Sequence, residues 1–232
     1  MTTTTTAAFS TRRFWIRAGA LSLILWPIVH FSGFLTSPPG QTHEPAVFRE
    51  HATLVQVSGV LLHYGAVLLV GVVLTLAWLV RDRTPRLSAI AGLVGALAAV
   101  NGSGLLVSDF YDLALAFTVP DAEAVAVTDT AQGYAGVLYG FLLPGFLLHP
   151  ALIALAVAAV REGRARWWQP VLLVAGLALP FLALSESPVV QSLGPVLIAV
   201  ALIPIGARLL ADSSSSPIEA PVDNSRPRVD TA

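Results

Sequence analysis

The chain has 232 residues, 55% of them hydrophobic and only 12% charged, with a net charge of -1 and a mean hydropathy of +0.75. A soluble domain carries about twice that charged fraction, and this charge balance offers nothing to a nucleic acid. There is no cysteine and no lysine, which excludes disulfides, thiolate catalysis, cysteine-ligated metals and any lysine Schiff base.

The pattern predicts an all-α fold, a polytopic transmembrane bundle of six helices over residues 12–210. Disordered tails are expected over residues 1–11 and 211–232. Thr11-Arg12-Arg13-Phe14 reads as the start of an uncleaved first span rather than a signal peptide, because the apolar run is too long. Span one is expected from Phe14 to Leu35, with Pro27 as a kink. An outer loop from Thr36 to His51 holds His43, Glu44, Arg49 and Glu50. Span two runs from Ala52 to Val80 and ends in the turn Arg81-Asp82-Arg83-Thr84-Pro85-Arg86. Span three covers Leu87 to Ser108 and continues through Asp109-Phe110-Tyr111-Asp112 into a longer outer segment that reaches Gln132. Span four returns from Gly133 to Val160, and Arg161 to Trp167 form a second arginine-rich turn. Span five covers Trp168 to Leu184, Ser185-Glu186-Ser187-Pro188 turn the chain, and span six covers Val189 to Leu210.

All 13 basic residues are arginines. Arg12, Arg13 and Arg17 precede span one, and Arg81, Arg83 and Arg86 follow span two. Arg161, Arg164 and Arg166 follow span four, and Arg208, Arg226 and Arg228 lie at or after the end of span six. Short arginine-rich loops stay in the cytoplasm. Both termini are therefore expected there, in a multi-pass protein of the plasma (cell inner) membrane, with Arg49 alone outside. Small residues recur at four-residue spacing as Ala91, Gly95 and Ala99, and as Gly136-x-x-x-Gly140. These stripes read as close helix packing inside the bundle, with a homo-oligomer or membrane-partner contact as the alternative.

Polar groups inside a span are expensive and are default functional candidates. Measured from the arginine ends, His30, His63 and Asn101 fall within about 3 Å of one plane at 1.5 Å per residue. Gln56 lies two turns beyond His63 on the same helix face, and Asn101, Ser108 and Asp112 form one stripe. The expectation is an outward-facing polar pocket with His30, His63 and Asn101 as its floor. Gln56 and Tyr139 stand further out, and Glu50, His51, Asp109, Tyr111 and Asp112 line its mouth. The leading reading is binding, or help in transport, of a small or lipidic ligand, alongside the lipid bilayer itself. Two other readings stand beside it. One is a haem- or metal-binding redox protein or hydrolase that uses His30, His63 or His149, or His51, Asp109 and Asp112. No H-x-x-x-H or H-E-x-x-H pair supports it, and no cofactor is named by the sequence. The other is a structural or regulatory membrane subunit.

With the spans placed, the layout resembles a group of uncharacterised six-span bacterial integral membrane proteins. The resemblance rests on Ile28-Val29-His30 at the end of span one and on Pro45-Ala46-Val47-Phe48 leading to Ala52. It also rests on Gln56-Val57-Ser58-Gly59 opening span two and on Asp109 or Asp112 at the end of span three. It implies the six-span fold and supplies no catalytic residues. The family's His-Pro is His30-Phe31 here.

Overall fold

The computed structural model describes residues 11–39, 44–182 and 187–215, and among them the chain forms only helices and turns. Helix α1 spans Thr11–Leu35, α2 Pro45–Glu50, α3 Ala52–Val80, α4 Pro85–Leu105, α5 Ser108–Thr118 and α6 Asp121–Gln132. Helix α7 covers Ala135–Arg161. Helix α8 is Trp168–Ala178, followed by a 3-10 turn to Phe181, and α9 is Pro188–Ser215. Five stretches are long and apolar enough to cross a membrane: α1, α3, α4 together with α5, α7 and α9. The chain is a multi-pass integral membrane protein.

The predicted fifth span is the exception. Helix α8 is apolar but has 11 residues, about 16 Å of helix against a hydrocarbon core of about 30 Å. Pro180 has no N–H to continue the ladder, and the chain tightens there into the 3-10 turn Leu179–Phe181. Residues 183–186, the end of the predicted fifth span and half of the predicted outer turn, lie outside the described residues, as do His43, Arg226 and Arg228. Helix α9 continues past the expected end at Leu210 as far as Ser215.

The helices are apolar on all sides, as membrane spans are. Ile90, Leu93, Leu97 and Val100 of α4 stand exposed on the outer surface, where lipid covers them. Leu23 of α1, Leu76 of α3, Leu155 of α7, Leu173 of α8 and Leu202 of α9 meet in one buried cluster. Without a hydrophobic gain between helices in lipid, close packing has to hold them. Glycines supply it along antiparallel seams. Between α1 and α3, Gly19 lies against Thr75, Gly71 against Ser22, Gly65 against His30 and Gly33 against Leu62. A Cβ on Gly206 of α9 would stand 2.7 Å from the Ala20 carbonyl oxygen of α1, and one on Gly176 of α8 would stand 2.6 Å from the Gly194 carbonyl oxygen of α9. Gly95 fits α4 between Val73 of α3 and Ala151 of α7. The stripe through Ala91, Gly95 and Ala99 thus packs inside the bundle. Gly136 and Gly140 do not: a Cβ on either would meet nothing within 4 Å.

The same pairings gather the arginines at one end. Arg17 Nε of α1 donates to Ser213 Oγ of α9 at 3.4 Å, and Arg208 Nη2 of α9 donates to the Arg164 carbonyl between α7 and α8 at 3.2 Å. Arg81 stacks 4.4 Å over Trp78 where α3 ends. At the opposite, far end, Phe48, Val55, Leu113 and Ala116 form a second small cluster that seats α2 and α5 on α3. Arg49 closes this cap. Its Nη1 donates to the Ala116 carbonyl at 2.7 Å and to Asp121 Oδ1 at 2.6 Å, and its Nη2 to Asp121 Oδ2 at 2.9 Å. A planar guanidinium suits this bidentate task. It ties α2 to the last turn of α5 and the first turn of α6.

Candidate functional site

His30 lies in the seam between α1 and α3. Its Nδ1 would be 3.2 Å from a Cβ on Gly65, and its ring sits 5.9 Å from Trp26 and 4.9 Å from Phe34. Both His30 Nδ1 and Trp26 Nε1 are buried without a hydrogen-bond partner among the described residues. His63 is placed differently. It is exposed, and its Nδ1 shares a hydrogen bond of 2.8 Å with Ser103 Oγ across the seam between α3 and α4. The ring of Tyr64 stands 5.6 Å away.

The two histidines share a level, because Gly65 faces His30 and is only two residues, about 3 Å, from His63. They do not share a side. Two residues turn a helix by about 200°, so Gly65 turns toward His30 and α1 while His63 faces α4. The same step separates Ser103, which meets His63, from the half-buried Asn101. His30, His63 and Asn101 are therefore level and do not face one another as the floor of one pocket.

The outer candidates are also dispersed. Gln56 is exposed and its amide donates to the Ala52 carbonyl of its own helix at 3.1 Å. Asp109 and Phe110 lie over Gly59, with Phe110 carbons 3.2 Å and Asp109 Oδ2 4.0 Å from a Cβ built there. Asp112 Oδ1 accepts from Thr128 Oγ1 of α6 at 2.7 Å, which joins α5 to α6. Tyr139 is 67% exposed. It sits in a π-turn, Leu138–Leu142, near the start of α7. Pro144 follows, and a π-turn is a recognised way to seat such an interruption. In this half of α7 Leu138, Phe141, Leu143, Phe146 and Leu147 are all exposed. Its main neighbour is α4, and α3 meets α7 chiefly from Leu148 onward. The far half of α7 thus splays from the bundle and leaves the His63–Ser103 pair open.

The sequence pattern leaves Arg49 alone on the outer side, in the loop beside Glu50, and does not show its clamp. Its signal was legible in one respect, since a lone arginine between helices needs an acid, and Asp121 follows Pro120 at the start of α6. Arg49 holds the Asp121 carboxyl below the usual carboxylate range, chiefly through their hydrogen bond and then through charge, with partial burial opposing.

His149 is half-buried, and its Nδ1 hydrogen-bonds the Phe146 carbonyl of its own helix at 3.2 Å. Among the described residues no group of three or more His, Asp or Glu side chains gathers as metal ligands would. An open groove of about 450 Å³ lies elsewhere, between α1 and α9. Pro27 and Phe31, Pro195, Ala199 and Pro204, and Trp168 of α8 are among its walls, which are apolar throughout. Comparison with protein-family models, curated proteins and solved structures gives no match for the chain.

Proposed function

We propose that the protein is a six-span plasma-membrane protein, with both termini on the cytoplasmic side, that binds a small or lipidic ligand from the outer side through polar groups of α3, α4 and α7. The arginine-rich end is the cytoplasmic end, by the rule that retains short basic loops there. Helix α8 with its 3-10 turn marks the shorter fifth crossing, and α9 makes the sixth. This topology also agrees with the resemblance to six-span bacterial membrane proteins.

The observation that carries the ligand reading is the exposed His63–Ser103 hydrogen bond. His63 lies about 26 Å along α3 from its arginine end, near the far boundary of a hydrocarbon core of about 30 Å. An exposed imidazole at that depth faces a water-filled cavity, a polar headgroup or a bound molecule rather than acyl chains. The splayed half of α7, with Tyr139 on its π-turn, leaves room beside it. Gln56, on the same face of α3, and Asp109, over Gly59, supply polarity toward the outer side, while His30 supports α1 against α3. Thermal melts of the purified full chain across a panel of lipids and small metabolites test this reading. A stabilising compound is expected for the wild type, with its effect lost in His63→Ala and in Ser103→Ala. Stabilisation that survives both substitutions overturns the reading.

A further inference from the structure

We propose that the seam between α1 and α9 is a binding site for an anionic phospholipid, with one acyl chain in the apolar groove and the phosphate between Arg17 and Arg208. This site shares no residue with the His63–Ser103 region. The groove floor is the outward face of α9. It follows Val196, Val200 and Ile203 and then continues at helical spacing through Ala207 and Ala211, both exposed. Small residues there leave the channel unobstructed toward the arginine end.

An arginine flanks that end on each side. On α1, Arg17 lies eleven residues before Ile28, a spacing that returns to the same helix face within about 20°, and Ile28 lines the groove. Its Nε donates to Ser213, so its head is held beside α9. On the other side Arg208 follows Pro204 by one turn. Its guanidinium is tethered to the Pro204 and Arg164 carbonyls at 3.2 Å each, on the flank where Trp168 walls the groove. Both arginine residues are exposed. A guanidinium pair of this kind suits a phosphate in charge and geometry.

The dimensions choose a lipid over a free anion. Arg208 and Val196 are separated by twelve residues, about 18 Å of helix, slightly more than half of a hydrocarbon core of about 30 Å. One acyl chain of one leaflet fits from headgroup to tip. Pro27, Pro195 and Pro204 line the groove, and rings without N–H groups present a dry wall to it.

The test is lipid retention by the purified full chain in mixed micelles of dioleoylphosphatidylglycerol and dioleoylphosphatidylcholine at equal concentration, read by native mass spectrometry. The wild type is expected to retain the anionic lipid at least tenfold over the zwitterionic one. Arg208→Gln is expected to lose about fivefold of that preference, the factor corresponding to one basic residue at a membrane surface, and Arg208→Lys to keep most of it. Ala199→Phe, which fills the groove, is expected to lower retention of both lipids. Arg81→Gln, remote from the groove, is expected to match the wild type. Melting without added lipid separates these effects from misfolding. Equal retention of both lipids by the wild type overturns the proposal, as does an equal loss in Arg208→Gln and Arg81→Gln. Unchanged retention in Ala199→Phe overturns the placement of the acyl chain.

Discussion

His63 and Gly65 show how a two-residue step separates roles on one helix. Gly65 lets His30 into the seam with α1, while His63 turns to Ser103 and the open face. Glycine is required where backbones meet. Gly206→Val would drive a side chain into the Ala20 carbonyl at 2.7 Å and should lower stability by about 1–3 kcal/mol, the usual cost of overpacking. Gly140→Ala, with open space around it, should stay within about 0.5 kcal/mol. Thermal or denaturant unfolding in detergent compares the two, and equal effects would contradict the seam. The Arg49–Asp121 clamp predicts a pH dependence. Because the folded Asp121 carboxyl sits below its unfolded value, its contribution is complete above the unfolded carboxylate range, near pH 4. It is lost as pH falls through the lower folded value. Hydrogen-exchange protection of α6 should therefore drop in acid for the wild type. In Asp121→Asn it should already be low at pH 7 and stay flat. Both groups are partly exposed, so salt should weaken the effect.

At the scale of the element, Gln169 shows what a single polar side chain does in a dry hairpin. It is 3% exposed. Its Oε1 accepts from the Arg166 N–H at 2.6 Å, and its Nε2 donates to the Ala201 carbonyl at 2.5 Å, so it ties the start of α8 to the turn before it and to α9. Gln169→Leu keeps the volume but leaves the Arg166 N–H without its acceptor. It should cost about 1–3 kcal/mol, the penalty of an unsatisfied buried donor, read as a lower melting temperature. A neutral result would mean that water reaches that N–H. The long elements were legible in the sequence because lipid requires continuous apolar helix, and α3 spans Ala52–Val80 as its hydropathy predicts. Depth was legible too, because the arginines mark one end of every span. Azimuth was not. Apolar helices carry no amphipathic stripe to say which side faces the bundle, so the level set of His30, His63 and Asn101 read as one pocket. The caps α2, α5 and α6 were hidden for another reason. They are fixed by the Phe48–Leu113 cluster and by Arg49, tertiary contacts that leave no periodic trace.

At the scale of the molecule, the absence of cysteine gives a clean background for mapping sides. Ala122→Cys in α6 should react with a membrane-impermeant maleimide added to intact cells. Arg83→Cys, Arg164→Cys and Ser214→Cys should react only after permeabilisation. Labelling of Arg164→Cys and Ser214→Cys from opposite sides would mean that α8 does not cross, leaving five spans. The reversed pattern throughout would invert the protein.

The most extensive helix pair joins α1 to α9, the first long helix of the chain to the last. This sets an order of assembly. Synthesis at about 5–20 residues per second places the emergence of α9 on the order of ten seconds after that of α1. During that interval α1 can dock on α3, but the surface it will offer to Gly206 has only lipid beside it. The pairing that closes the ring is thus its most remote in sequence, and a nascent chain stopped before residue 188 would hold an intact α1–α3 hairpin with one bare flank.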